Sequence, residues 1–97
     1  MSTQVEVRSI KNEQGKVLAE AEYVDGKPHG YNKIWSEDGK IKEESYFVNG
    51  LRHGAYKLWW DNGLLKEEGV YFNGQRVGQY VWYSQNGDVR QTHDYSS

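Results

Sequence analysis

The chain has 97 residues and a formal net charge of −2, from 12 basic and 14 acidic side chains. Because there is no excess of Lys and Arg to neutralise a phosphate backbone, we expect no general nucleic-acid binding. The absence of cysteine excludes disulfides and thiolate metal sites. Only 36% of the residues are hydrophobic while 14% are aromatic, so we expect a sheet stabilised by aromatic side chains and cross-strand pairs rather than a compact aliphatic core.

The N-terminal segment alternates polar and apolar residues. It contains neither the apolar run of a signal peptide nor a segment long enough to span a membrane. We therefore expect a soluble, cytoplasmic protein that has no membrane partner. Residues 4–11 and 16–24 are predicted to form the first two strands, with a turn at Gln14-Gly15 between them.

The stretch from Phe47 to Gly63 recurs about 24 residues earlier and about 24 residues later, and a fixed period of this length indicates a repeat architecture. The recurrence is carried by aromatic residues and glycines, and ten of the eleven glycines fall in its register, with only Gly69 outside it. We expect one domain over residues 1–97, with a partial repeat at about 1–22 and full repeats at about 23–46, 47–70 and 71–95.

Each repeat carries two Asx-Gly turn signals, of which Asp25-Gly26 and Asp38-Gly39 are the first examples. We expect the first connection to be about five residues long, to contain Pro28 and to end at a glycine. The segments between turns predict strands at 31–37, 40–48, 55–61, 64–72, 79–85 and 88–95. The prediction is all-β: a single-layer antiparallel β-meander of about eight strands, made of about three 24-residue repeats and an N-terminal half repeat.

The length of the second connection decides which side chains share a face. With a two-residue hairpin, Ser36 faces Ile41 and Ile34 faces Glu43. One face then carries Ile34, Leu58, Trp60, Trp82, Tyr56, Tyr80 and the ladder Tyr23, Phe47, Tyr71 and Tyr95. The other carries Trp35, Trp59, Tyr83, Lys42, Lys66 and Arg90. A three-residue turn with a bulge would shift the pairing by one and exchange the partners of Trp35, Trp59 and Tyr83, and the residues alone leave both turns open.

The repeat frame resembles the bacterial variant of the MORN repeat. The residues that carry the resemblance are Phe47, Asn49-Gly50, Gly54, Trp59-Trp60, Asn62-Gly63, Leu65 and Glu68. Chains with this frame are similar to YwqK-type antitoxins and to immunity proteins that accompany secreted bacterial toxins. The resemblance implies a cytoplasmic protein that neutralises a cognate toxin by steric occlusion. Ser36 and Ser84 stand where the middle repeat has Trp60, so binding specificity does not carry over with the resemblance.

Aromatic and arginine side chains are the candidate partner-binding residues, because these types are enriched at binding hot spots. They are Tyr31, Trp35, Tyr46, Arg52, Tyr56, Trp59, Trp60, Phe72, Arg76, Tyr80, Trp82 and Tyr83. The hypothesis is a protein-binding module whose partner is a toxin. The alternative is a scaffold or counter-defence inhibitor that binds a larger protein assembly. A homodimer through a free sheet edge is a further expectation.

Catalysis, metals and cofactors are not expected. Glu43 and Glu67 would lie on one face, where a hydrolase could use them. The simpler interpretation of the paired glutamates is that Glu44 and Glu68 pair with Lys33, Lys57, Lys42 or Lys66 on a solvated face. His29 and His53 are repeat-equivalent, yet Val77 holds that position in the next repeat and no third ligand is evident. We interpret both histidines as polar turn residues.

Overall fold

The computed structural model describes residues 4–96; residues 1–3 and 97, which the sequence assigns to the same domain, lie outside the described part. All regular structure within residues 4–96 is β-strand. The strands are β1 Val5–Lys11, β2 Val17–Val24, β3 Lys27–Trp35, β4 Ile41–Val48, β5 Leu51–Arg52, β6 Gly54–Trp59, β7 Leu65–Phe72, β8 Gln75–Tyr83 and β9 Val89–Asp94.

The strands form one antiparallel sheet in the order β1-β2-β3-β4-β6-β7-β8-β9, and the two-residue β5 pairs with β4 just before β6. The sheet measures 44 × 39 × 12 Å, and its radius of gyration is 15.1 Å. A compact domain of this length would have a radius of gyration of about 12.5 Å. The predicted all-β, single-layer meander is therefore confirmed. Residues 4–96 contain no helix of the length and apolarity that crossing a membrane requires.

The first connection of each repeat is shorter than the sequence predicts. Val24 pairs directly with Lys27, and Asp25 and Gly26 both have positive φ, at 51° and 78°. This is a two-residue turn of the type I′ kind, in which Asp or Asn followed by Gly tolerates the left-handed conformation. Asn49-Gly50 and Asn73-Gly74 repeat it. The prediction of a five-residue connection is wrong, because the strand resumes immediately after the glycine.

Pro28 consequently lies inside β3, paired with Tyr23, and its predicted place in a loop is wrong. The later glycine, Gly30, has φ 117° and faces a register shift between Ala21 and Tyr23. It marks a β-bulge and not the end of the turn. A proline next to the start of a strand and beside a bulge removes little from the hydrogen-bond ladder.

The second connection is the bulged alternative. Ser36 N–H donates to the Lys40 carbonyl at 2.8 Å, and Gly39 N–H donates to the Ser36 carbonyl at 3.0 Å. Gly39 has φ 90°, whereas positive φ outside glycine occurs within residues 4–96 only at Asp25, Asn49 and Asn73. The turn is therefore not type I′.

The bulge changes the pairing beside this turn. The pairing of Ile34 with Glu43 is as predicted, but Trp35 pairs with Ile41 and the predicted pair of Ser36 with Ile41 is wrong. The reason is a register shift between Ile34 and Trp35, which leaves Lys42 as an extra residue on β4. Lys66 is the extra residue on β7 in the same way.

Tyr80 is the most buried aromatic side chain, with 0% exposure, and Ser45 at 1% is the other buried residue within residues 4–96. The Tyr80 ring lies over Gly69, the one glycine outside the repeat register. A Cβ at Gly69 would stand 2.6 Å from Cε2 and 3.0 Å from Cγ of that ring. The Tyr80 hydroxyl donates to Glu67 Oε1 at 2.8 Å. Gly69 is therefore a packing requirement of Tyr80.

Replacing Gly69 by Ala is expected to destabilise the fold by about 1–3 kcal/mol, since the added methyl group overpacks the site against Tyr80. Urea denaturation of the variant measures the loss. Gln91→Ala, at an exposed position in β9, is the control and should change stability by less than about 0.5 kcal/mol. Equal midpoints for the two variants would contradict the packing argument.

Tyr80 should also make stability sensitive to alkaline pH. Burial, the hydrogen bond to Glu67 and the Glu67 charge raise the pKa of Tyr80 above that of a free phenol. A raised pKa gives stabilisation that is complete below about pH 10 and is lost as pH rises through the folded-state pKa. The excess stability of the wild type over Tyr80→Phe should therefore shrink between about pH 8 and about pH 11, measured by urea denaturation.

Tyr46→Phe is the matched control for this alkaline effect, because the Tyr46 side chain is exposed. Its difference from the wild type should stay constant over the same pH range. A constant difference for Tyr80→Phe as well would show that Tyr80 does not couple folding to pH.

Candidate functional site

Two arginines on one face of the sheet are each stacked on aromatic rings of neighbouring strands. Arg52 pairs with Phe47 across the first turn of its repeat. Its guanidinium carbon lies 4.8 Å from the ring centroid of Tyr56, 5.3 Å from that of Phe47 and 5.9 Å from that of Tyr71. These distances are within the range of cation–π attraction.

Arg76 repeats the arrangement one unit later. Its guanidinium carbon lies 4.4 Å from the Tyr80 centroid, 5.7 Å from that of Trp82 and 5.8 Å from that of Tyr95. Arg76 Nε donates to the Tyr71 hydroxyl at 3.2 Å, and Nη1 donates to the Tyr95 hydroxyl at 3.1 Å. These two hydrogen bonds raise the pKa of Arg76 above the ordinary value of an arginine side chain. We call the set Phe47, Arg52, Tyr56, Tyr71, Arg76, Tyr80, Trp82 and Tyr95 the arginine row.

The two arginines differ in whether their N–H groups have hydrogen-bond acceptors. Arg52 Nη1 is buried and has no hydrogen-bond partner within residues 4–96, and the nearest carboxylate oxygen, Glu43 Oε2, lies 3.8 Å away. Phe47 holds the ladder position at which Tyr71 supplies a hydroxyl to Arg76. Tyr71 accepts from Arg76 Nε, so Phe47 leaves the Nε of Arg52 without the equivalent acceptor. The acceptor of Arg76 Nη1 is Tyr95, and its equivalent beside Arg52 is Tyr71, whose hydroxyl is engaged by Arg76.

Glu43 and Glu67 lie on this same face, on either side of Leu58, with which both pair. Glu43 Oε2 accepts hydrogen bonds from Asn32 Nδ2 at 3.1 Å and from Ser45 Oγ at 3.3 Å. Glu67 is engaged by the Tyr80 hydroxyl. Each carboxylate thus holds neighbouring polar groups of the sheet in place.

A groove adjoins the arginine row at the second turn of the middle repeat. It has a volume of about 590 Å³. Its lining consists of Ile34, Lys42, Glu43, Leu58, Trp59, Trp60, Asp61, Asn62, Lys66 and Gln85. Lys42 forms an ion pair with Asp61, and the Lys66 ammonium lies 4.8 Å from the Trp60 ring centroid. We call this the Trp60 groove.

The opposite face carries an exposed apolar patch near the first turns, which we call the back patch. It comprises Tyr46, Val48, Leu51, Val70 and Phe72, whose exposures range from 36% to 56%. Val48 pairs with Leu51, and the Phe72 ring lies 4.9 Å from that of His53. Exposed apolar patches of this kind commonly mark interaction surfaces.

The predicted partner-binding residues divide between the two faces. Arg52, Tyr56, Arg76, Tyr80 and Trp82 lie together in the arginine row, and Trp60 lies in the adjoining groove. Tyr46 and Phe72 lie in the back patch, and Tyr31 pairs with Tyr46 on that face. Tyr83 bonds Glu68 on the same face. Trp59 lines the same groove as Trp60, and Trp35 pairs with Ile41 at the equivalent position of the preceding repeat.

The sequence does not reveal all of this site. The ladder residues Phe47, Tyr71 and Tyr95 are not among the predicted binding residues, yet their rings lie beside the arginines. The hydroxyls of Tyr71 and Tyr95 also bond Arg76. The register shifts bring Lys42 and Lys66 into the groove, which Trp59 also lines. The available signal is the Arg that follows each of two ladder positions by five residues, at Arg52 and Arg76.

His29 and His53 link consecutive first turns by hydrogen bonds. His29 Nδ1 accepts the Asn49 backbone N–H at 3.1 Å, and His53 Nδ1 accepts that of Asn73 at 3.4 Å. Within residues 4–96 no group of three or more His, Cys, Asp or Glu side chains is placed to hold a metal ion.

Phe47→Tyr should stabilise the protein by about 0.5–1.5 kcal/mol, because the new hydroxyl offers Arg52 the acceptor that Tyr71 offers Arg76. Urea denaturation checks the gain. Phe72→Tyr, which adds the same hydroxyl to an exposed ring on the back patch, should be neutral. If Phe47→Tyr is no more stable than Phe72→Tyr, Arg52 gains nothing from an acceptor at this position.

The chain contains two adjacent copies of a known repeat. The family model described as MORN repeat variant matches residues 28–49 and 52–73. The spacing between the starts of the two matches equals the period seen in the sequence. MORN repeats are in general modules that bind proteins or membranes. No curated protein and no solved structure matches the chain. The match thus covers two adjacent repeats of the sheet, at residues 28–49 and 52–73.

Proposed function

We propose that the protein binds another protein through the arginine row and acts without catalysis. The single observation that carries this proposal is the preordered stack of Arg52 and Arg76 among six aromatic rings. Tyr, Trp and Arg dominate binding hot spots, and side chains that are already ordered lose little entropy when a partner docks. In a sheet 12 Å thick no second layer covers this face within residues 4–96, so a partner can reach the row except at Tyr80, which is buried beneath Arg76.

The proposed partner is a cognate toxin, which the protein neutralises by covering its active site. The support is the resemblance of the repeat frame to antitoxins and immunity proteins, together with the row's geometry. A flat, ordered surface suits steric occlusion, since it requires no chemistry from the inhibitor. The engaged carboxylates of Glu43 and Glu67 support a binding role over a hydrolytic one. We further propose that the protein acts in the cytoplasm and uses neither nucleic acid, membrane nor cofactor.

The back patch favours a second candidate, a scaffold or counter-defence inhibitor within a larger assembly. The arginine row and the back patch lie on opposite faces of a single layer, so one flat partner surface cannot contact both. A protein that uses both would join two partners, or two copies of one partner. A homodimer through a free sheet edge stays a proposal beside these.

Arg76→Ala is expected to weaken partner binding by at least about thirty-fold, the loss typical of a hot-spot residue of about 2 kcal/mol or more. The tagged protein captures its partner from the native host, the partner is then purified, and calorimetry measures the affinity. Phe72→Ser, in the back patch, is the control and should bind normally if the partner is a toxin covered by the arginine row. Circular dichroism and urea denaturation establish that both variants are folded.

The outcomes separate the candidates. A single small partner in a 1:1 complex, sensitive to Arg76→Ala alone, supports toxin neutralisation. Sensitivity to both variants, with a complex of higher molar mass by light scattering, supports the scaffold. Equal affinities for the wild type and Arg76→Ala would remove the arginine row from the binding surface.

A further inference from the structure

The Trp60 groove departs from the repeat in a way that the fold itself does not require. Four second-type turns share the same backbone bonds, and they begin at Asn12, Ser36, Trp60 and Ser84. In three of them the first side chain bonds within its own turn. Asn12 Oδ1 accepts the Gln14 and Lys16 N–H groups, and Ser36 Oγ accepts that of Lys40 at 3.2 Å.

Ser84 Oγ instead donates to Asn86 Oδ1 and to the Asp88 carbonyl. The Trp60 side chain makes no such bond, since an indole has no acceptor and its Nε1–H has no partner within residues 4–96. The backbone of its turn is nevertheless the same, with Trp60 N–H donating to the Leu64 carbonyl at 2.8 Å. The fold therefore tolerates Trp60 but gains no turn bond from its side chain.

The groove contains hydrogen-bond donors that have no acceptor. Trp60 Nε1 is covered and makes no hydrogen bond within residues 4–96. The Lys66 ammonium lies over the Trp60 ring, and it forms no ion pair within 4 Å in this part of the chain. A Trp N–H and a lysine ammonium can only donate, so both require an acceptor from outside the sheet.

The carboxylates and the Asn62 amide that line the groove are already engaged. Glu43 is bonded by Asn32 and Ser45 and faces Arg52, while Asp61 is paired with Lys42. Asn62 Nδ2 donates to the Gln85 carbonyl at 2.7 Å, and its Oδ1 accepts the Leu64 N–H. What remains unmatched is therefore positive charge and N–H, above an apolar floor of Ile34 and Leu58.

We propose that the Trp60 groove binds an acidic side chain of the protein partner, an aspartate or glutamate that is followed by an apolar residue. The carboxylate accepts from Lys66 and, once the flexible Lys66 side chain swings towards it, from Trp60 Nε1–H. Such charge-assisted bonds are stronger than neutral ones. The neighbouring apolar side chain covers Ile34 and Leu58. The volume of about 590 Å³ falls in the range of specific ligand pockets, and it suits one or two side chains.

This inference rests on the proposed protein-binding function but can be tested without the partner. The probe is a blocked pentapeptide, acetyl-Gly-Glu-Leu-Gly-Gly-amide, with Gln and Lys replacing Glu in two control peptides. Titration into ¹⁵N-labelled protein is followed at the Trp60 indole N–H and at the Asn62 backbone amide. The Trp60→Ser variant, which carries the residue of the flanking repeats, assigns the indole signal and should fold.

The Glu peptide is expected to shift both signals with a dissociation constant of about 1 mM or tighter, and at least about ten-fold more tightly than the Gln or Lys peptide. Lys66→Gln should weaken the Glu peptide at least about five-fold. Lys57→Gln, whose lysine pairs with Glu68 on the opposite face, should leave its affinity unchanged.

Equal binding of all three peptides, stronger binding of the Lys peptide, or no shift from the Glu peptide would each overturn the groove's acidic specificity. None of these outcomes affects the capture experiment. If a partner is captured in an Arg76-dependent manner while the peptides fail, only this inference is lost. If the Glu peptide binds selectively and no partner is captured, the acidic specificity of the groove is supported and the proposed protein-binding function is not.

Discussion

A sheet one layer thick has no second layer to pack against, so its side chains must be buried on the sheet itself. Tyr80 achieves this by lying over Gly69, where the absence of a side chain leaves room for a ring. The arginines extend the same solution, since each guanidinium covers rings from adjacent hairpins that would otherwise face water. The contacts that stabilise the fold therefore also order the surface that we propose binds a partner.

The sequence predicts the architecture well because the repeat period and the glycine register specify it directly. It predicts the two connections poorly because both carry the same Asx-Gly signal. Asp25 adopts positive φ whereas Asp38 does not, and the difference depends on local bonds. Ser36 bonds across its turn to Lys40, which favours the longer bulged form. A Ser or Asn at positions 12, 36 and 84 is a signal that separates the two turn types in three of the four turns, whereas Trp60 begins the same turn without it.

The residue types of the site can be predicted from the sequence, but their grouping in space cannot. Arg52, Arg76 and Trp60 are recognisable as candidates because Arg and Trp are enriched at binding hot spots. Their grouping depends on register shifts, which bring Lys42 and Lys66 to the groove, and on hydroxyls of ladder residues, which orient Arg76. Neither can be read from strand alternation, since one extra residue in a strand reverses the faces of all the residues after it.

The departures from the repeat concentrate in its middle copy, and this concentration bears on how recognition works. Phe47 offers Arg52 no hydroxyl acceptor. The Trp60 side chain makes no hydrogen bond within its turn, and its indole N–H has no acceptor within residues 4–96. Both residues lie in the middle repeat, with strands of the other repeats on either side. The flanking copies, with Arg76 satisfied by Tyr71 and Tyr95 and Ser84 bonded in its turn, supply rigidity. In a repeat protein of identical turns, binding specificity can be set by the few positions at which one copy leaves its own hydrogen bonds incomplete.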